Sequence, residues 1–107
     1  MTAIIKDNLD KIIEVCKLMH VQSLYLFGSG TKESKFTVSS DLDFLYQFQK
    51  NKDGMLLSDY DYFDLMFKLQ EITGKNIDLV AEEKISNPFF SQRVNAEKIE
   101  LYEFRNT

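Results

Sequence analysis

There is no tryptophan in this chain, and there is only one cysteine, one histidine and one proline among its 107 residues. Each scarcity excludes something. A lone thiol cannot close an internal disulfide, and Cys16 falls in an apolar stripe, where it reads as a small buried hydrophobe. A lone imidazole, His20, has no second histidine with which to share a metal, and its place just past a helical stretch suits a helix end or surface position. No apolar run approaches the roughly 20 residues that a membrane helix needs, so no membrane span is expected. The opening MTAIIKDNLDKII carries acids and no apolar signal core, so no export signal is expected and the cytoplasm is the default location. Basic charge is short as well. The net charge is −4 and the pI is near 4.9, which argues against a long, nonspecific nucleic-acid groove.

What is present is ordinary for a soluble globule: 44% apolar and 28% charged residues. The length suits one domain over 1–107 with one modest core. Nine Phe and five Tyr make the chain aromatic-rich. Most are expected inside, with a few left to stack on a planar partner. No internal repeat, low-complexity segment or linker is visible.

Hydrophobic spacing sets the expected elements. Ile4, Ile5, Leu9, Ile12, Ile13 and Cys16 recur at helical period, predicting a helix over 2–19. Residues 21–27 alternate as a strand, with Leu24 and Leu26 on one face and Ser23, Tyr25 and Phe27 on the other. Residues 29–35 suit a short helix or turn with Ser29 as N-cap, and 36–40 lead into a second strand over 41–48. There, Leu42, Phe44, Tyr46 and Phe48 form one face, and Asp41, Asp43, Leu45 and Gln47 the other. A polar connection, 49–57, turns at Asp53-Gly54 and leaves Met55, Leu56 and Leu57 in need of cover. A helix is expected from a Ser58 cap to about Thr73, with Asp59 and Asp61 in its first turn and Gly74 ending it. The run DYDYFD lacks the glycine and terminal Glu of a calcium loop and reads as a solvated helix start. Residues 76–81 form a third strand, Asn87-Pro88 opens a helix to about Ala96, and 99–104 close the chain as a short strand.

The stretch LYLFGSGTKESKFTVSSDLDFLYQF, residues 24–48, organises the rest. Gly28 ends the first strand, and only a residue without Cβ allows backbone to approach a ligand so closely. Gly28-Ser29 offers bare N–H groups and a hydroxyl, which suit phosphate oxygens. Asp41 and Asp43, two apart on a strand, point the same way with backbones roughly 6 to 7 Å apart. Paired carboxylates suit hard divalent cations such as magnesium. A plain turn explains Gly28-Ser29-Gly30 and an Asx turn explains Asp41. Neither explains Asp43, an acid inside an apolar strand, where an unpaired charge is costly. Asp78 interrupts the third strand in the same way. A salt bridge at a sheet edge is the bland alternative for it. A small metal-bound nucleotide remains compatible with the acidic composition, because the metal supplies local positive charge.

Together these residues resemble the polymerase-beta nucleotidyltransferase superfamily in its minimal, single-domain form. That family carries Gly-Ser at a strand exit, Asp-x-Asp about a dozen residues on, and a third Asp on a later strand. Gly28-Ser29, Asp41, Asp43 and Asp78 stand at those positions. The resemblance runs from the first helix to about Tyr102 and implies an α+β fold, a small mixed β-sheet with helices mainly on one face. It implies that Asp41, Asp43 and Asp78 bind two Mg2+ ions, with Asp78 or a neighbouring acid taking a proton from the acceptor hydroxyl. Gly28, Ser29 and Lys32 would grip the phosphates of an NTP, with ATP as the expected substrate and AMP as the group transferred. Lys32 stands where the family often has arginine and Glu33 where it often has glycine, two departures near the phosphates. Arg93 is open between a phosphate contact and a structural ion pair. The resemblance further implies a HEPN-type helical partner of a toxin–antitoxin pair that brings the acceptor, and oligomerisation would cover the open side of so small a sheet. Two rivals remain: a non-catalytic antitoxin or regulatory docking module, and a nucleotide sensor that binds ATP without releasing pyrophosphate.

Overall fold

The computed structural model describes residues 1–32, 35–37 and 39–105. Glu33, one of the two departures noted near the phosphates, lies outside the described residues, as do Ser34 and Val38 from the segments leading to the second strand. In order the elements are α1 (Ala3–Leu18), β1 (Val21–Phe27), β2 (Leu42–Phe48), α2 (Tyr62–Thr73), β3 (Ile77–Ala81), α3 (Pro88–Glu97) and β4 (Ile99–Glu103). Short 3-10 turns occupy Gly28–Thr31 and Glu82–Lys84.

The strands form one sheet in the order β3-β2-β1-β4. β1 runs antiparallel to both β2 and β4, whereas β2 and β3 are parallel. A parallel pair needs a crossover, and α2 supplies it. The result is the mixed sheet and α+β class expected from the sequence.

Helix α1 buries Ile5, Ile12, Val15 and Cys16 as one stripe. Thr2 holds its N-cap position without a side-chain capping bond. The Thr2 N–H instead donates to the Gly30 carbonyl at 3.0 Å, tying the helix start to the turn after β1. His20 is exposed, with a left-handed φ of 55°, as suits the residue that swings the chain from α1 into β1. Cys16 is fully buried and desolvation pushes its thiol up to about 12.

The start of α2 differs from expectation. Asp61, not Ser58, is its cap. The Asp61 side chain accepts from Asp64 N–H at 3.0 Å, and Asp64 accepts from Asp61 N–H at 2.9 Å, a reciprocal capping box. Ser58 closes a separate small turn by accepting from Tyr60 N–H. Asp59 therefore precedes the helix. Gly74 ends it in the left-handed conformation, φ 69°. Helix α3 opens as read, with Asn87 accepting from the N–H groups of Phe89 and Phe90 and Pro88 in the first turn.

The main core lies on one face of the sheet. There Leu24, Leu26, Leu42 and Phe44 pack with Ile5 and Ile12 of α1 and Leu65 and Leu69 of α2. The alternate residues of the same strands face the other way. On that side Phe27 and Leu45 form a small cluster with Val94 of α3, flanked by Tyr25, Val80 and Ile85. Two helices thus cover one face and α3 covers part of the other. Met55, Leu56 and Leu57 are exposed.

Candidate active site

The site forms on the thinly covered face, where β1, β2 and β3 lie side by side. Register does the positioning. Phe27 at the end of β1 sits opposite Asp43 on β2, and Asp43 is the parallel partner of Asp78 on β3. Equal register on neighbouring parallel strands sends both carboxylates out of the same face. Leu42 and Phe44, the flanking residues of β2, are fully buried in the main core. A shift of one residue would drive Asp43 into that core.

Gly28 follows Phe27 with φ +72°, and a Cβ built there would collide with the Asp43 carboxylate. The backbone of the turn therefore lies directly against an acid, an approach that only glycine permits. Gly30 is also confined: a Cβ there would stand 3.0 Å from Leu42 and 3.3 Å from Leu26. Thr31 locks the turn by donating its hydroxyl to the Gly28 carbonyl at 2.7 Å. The 3-10 turn begins at Gly28 with Phe27 as its cap residue, so Ser29 is not the N-cap that its residue type suggests.

The electrostatics are those of crowded acids. Desolvation first, then the charge and hydrogen bond of Asp78, then the charges of Asp41 and Glu97, push Asp43 up to about 6. A hydrogen bond between two carboxylates requires a shared proton, and a hard cation would satisfy the same crowding. The donors are all oxygen, with the lone histidine at the opposite end of β1 and the lone cysteine inside the main core. Such a set fits magnesium or manganese rather than zinc.

Two adjoining clefts extend from this point. One, of about 260 Å³, is lined by Phe27, Gly28, Asp43, Asp78, Phe90 and Arg93, with Val94 and Glu97 behind them. The other, of about 170 Å³, is lined by Gly28, Ser29, Thr31, Lys32, Lys35, Arg93 and Glu97. They share Gly28, Arg93 and Glu97, so an acidic end passes into a basic one along a single wall.

Of the residues singled out from sequence, Asp43, Asp78 and Gly28 meet in the first cleft, and Ser29 and Lys32 line the second. Asp41 stands apart. It lies one residue before β2, which begins at Leu42 rather than at Asp41, and it is exposed and lines neither cleft. Among the described residues no three acid, histidine or cysteine side chains converge as a metal-binding group. The bland reading of Asp78 finds no support, since Asp78 takes part in no ion pair among the described residues. Sequence reasoning passed over Lys35 and Glu97. Glu97 had a signal: it follows Arg93 by four and Phe90 by seven, the spacing of one helix face.

Comparison with known proteins identifies the family and the fold. The family model "Polymerase beta, Nucleotidyltransferase" matches residues 10–106. A protein of Methanocaldococcus jannaschii named "putative protein adenylyltransferase" is 30% identical over 96 residues, covering 89% of this chain and 92% of that protein. In fold, the chain resembles a "putative minimal nucleotidyltransferase" with TM-score 0.69 and 24% identity, over 89% of this chain and 90% of that one. It also resembles a chain from the complex of a tri-AMPylated Shewanella oneidensis HEPN toxin with its MNT antitoxin, with TM-score 0.58 and 22% identity, over 92% of this chain and 72% of that one. A match across nearly the whole sequence, joined to a relative that it spans almost end to end, decides the question of kinship: this chain belongs to the polymerase-beta nucleotidyltransferase family.

Proposed function

We propose that residues 1–107 act as one nucleotidyltransferase domain that transfers AMP from ATP to a hydroxyl group on a helical, HEPN-type partner protein. The observation that carries this reading is the Asp43–Asp78 pair set against the Gly28 backbone, with a basic cleft continuing from it. The names of the relatives support the same reading: an adenylyltransferase of proteins, and an antitoxin complexed with an AMPylated toxin.

Asp43 and Asp78, joined by Asp41 from the edge of the strand, would hold two Mg2+ ions. Bound there, the ions neutralise charge on the α-phosphate and on the leaving pyrophosphate. The Gly28 and Ser29 N–H groups, the Ser29 hydroxyl and Lys32 hold the β- and γ-phosphates. Asp78, exposed on β3, takes the proton of the acceptor hydroxyl. The acceptor oxygen then bonds to the α-phosphorus while the bond from that phosphorus to the β-phosphate oxygen breaks, and pyrophosphate leaves. With ATP as substrate, the place of work is the cytoplasm. The described helices include none long and apolar enough to cross a membrane.

A second reading, a docking module without catalysis, draws on the absence of Asp41 from the lining of both clefts and on the exposed Phe63 and Phe67 of α2. The discriminating experiment is to incubate the protein with its partner, magnesium and ATP and to follow the partner by mass spectrometry. Addition of one or more AMP units, abolished in the D41N/D43N double variant, is the expected outcome. A stable complex with no mass gain would overturn the enzymatic reading and establish the docking one.

A further inference from the structure

Arg93 is the charged residue of α3 for which the site has so far provided no task. Its position is fixed from both sides. Val94, the next residue, is buried between Phe27 and Leu45. Phe90, one turn earlier, packs edge-on against Phe27 with ring centroids 6.0 Å apart. These contacts clamp α3 over the end of β1, and Arg93 consequently lines both clefts, next to Gly28 in each. It takes part in no ion pair among the described residues, although Glu97 lies one turn further along the same wall. A guanidinium held by its helix, flanking the acid pair on one side and Ser29, Lys32 and Lys35 on the other, is placed where a chain of phosphates would pass.

We propose that Arg93 is the residue that grips the β-phosphate of the bound nucleoside triphosphate and receives the charge that develops on departing pyrophosphate. The inference rests on the nucleotide-transfer reading above and adds to it a residue that the strand-borne motif does not contain. Three features favour it over a surface role. Arg93 stands at the junction of the two clefts rather than in either alone. Its planar fork can donate two parallel bonds to one phosphate, which a lysine cannot do. The acids around it, Asp43, Asp78 and Glu97, would hold the guanidinium near the site before the nucleotide arrives.

The test compares two ligands that differ only in the phosphates at issue. ATP and AMP are titrated calorimetrically, each with magnesium, into wild type, R93A and R93K. Arg93 bonds only to phosphates that AMP lacks. R93A should therefore weaken ATP binding by roughly ten- to a hundredfold, the size of one charge-assisted phosphate contact, and leave AMP binding unchanged. R93K should restore part of the loss, because charge returns without the fork. Equal weakening of both ligands would overturn the proposal in favour of a structural role for Arg93, and so would unchanged ATP binding in R93A. A folded wild type that binds neither ligand would overturn the nucleotide-transfer reading itself, and this inference with it.

Discussion

One set of strands builds two very different surfaces. The face toward α1 and α2 carries Leu24, Leu26, Leu42 and Phe44, all completely buried, and among the described residues the strands add the phenols of Tyr46 and Tyr102 there but no carboxylate. The face toward α3 carries Tyr25, Phe27, Asp43, Leu45 and Asp78, and its apolar cluster is small. Phe44 and Asp43 are chain neighbours, yet one is sealed in the core and the other is a crowded acid. The pleat alone separates them. The packed face supplies the burial that holds the sheet, and the other face is thereby free to carry two adjacent carboxylates that disfavour folding.

The most forceful way to sharpen this contrast is to change one residue on each side. D43N should reduce AMP transfer by about a thousandfold or more, the several kcal/mol that a metal clamp supplies, while the far-ultraviolet circular dichroism stays native. Phe44→Ala, one residue along, should do the reverse in character. It should cost about 3–5 kcal/mol in urea denaturation, with catalysis lost only to the extent that the protein unfolds. If D43N unfolds the chain, or Phe44→Ala leaves it as stable as before, the division of labour between the faces is wrong.

Glycine offers a finer comparison. Gly28 and Gly54 both have left-handed backbone, φ +72° and +79°, but a Cβ added at Gly54 would meet no atom within 4 Å, whereas one added at Gly28 meets the Asp43 carboxylate. Alanine at either position should cost about 1–2 kcal/mol of stability from backbone strain. Only Gly28→Ala should also weaken binding of magnesium-ATP, by about tenfold or more from misplacement of the turn. Equal binding by the two variants would remove Gly28 from the site.

The smallest effect is one of pH. Asp43 is raised, to about 6 from an ordinary 3.8, chiefly by desolvation and then by Asp78. An acid with a raised folded-state pKa contributes stability that is complete below about 3.8 and is lost as the pH rises through about 6. Ionised Asp43 therefore burdens the metal-free protein at neutral pH. D43N should raise Tm relative to wild type at pH 7.5, and the gain should fade by pH 4. A gain of the same size at both values would mean that the acid pair is not the source.

The parts of this molecule written in local pattern were legible before the structure. β1 was bounded to the residue, because its apolar stretch closes at a terminating Gly28, even though a register shift between Val21 and Ser23 interrupts the alternation. Asp43 and Asp78 were marked by a simple conflict, an acid where the strand wants an apolar side chain. The less legible parts depended on choices between equals. Ser58 and Asp61 are both good caps, and Asp61 prevails because Asp64 stands three residues on to return its bond. Asp41 and Asp43 looked equivalent by spacing, but β2 begins between them, and a residue outside the ladder is not held to the pleat. The tight seat of Gly30 against Leu42 and Leu26 joins residues from two strands and a turn, which no local window contains.

The parallel pairing of Asp43 with Asp78 has a consequence for the timing of competence. A hairpin can form as soon as its second strand is synthesised, but this pair cannot exist until α2 has been made and docked, because the crossover must return the chain before β3 can lie beside β2. A nascent chain that has completed β1 and β2 already displays its glycine turn with Asp41 and Asp43, yet it lacks Asp78, the acid that would complete the strand pair. Under the proposed mechanism, competence is withheld until this long-range step of folding is done, and a chain that stops within α2 would be inert rather than partly active.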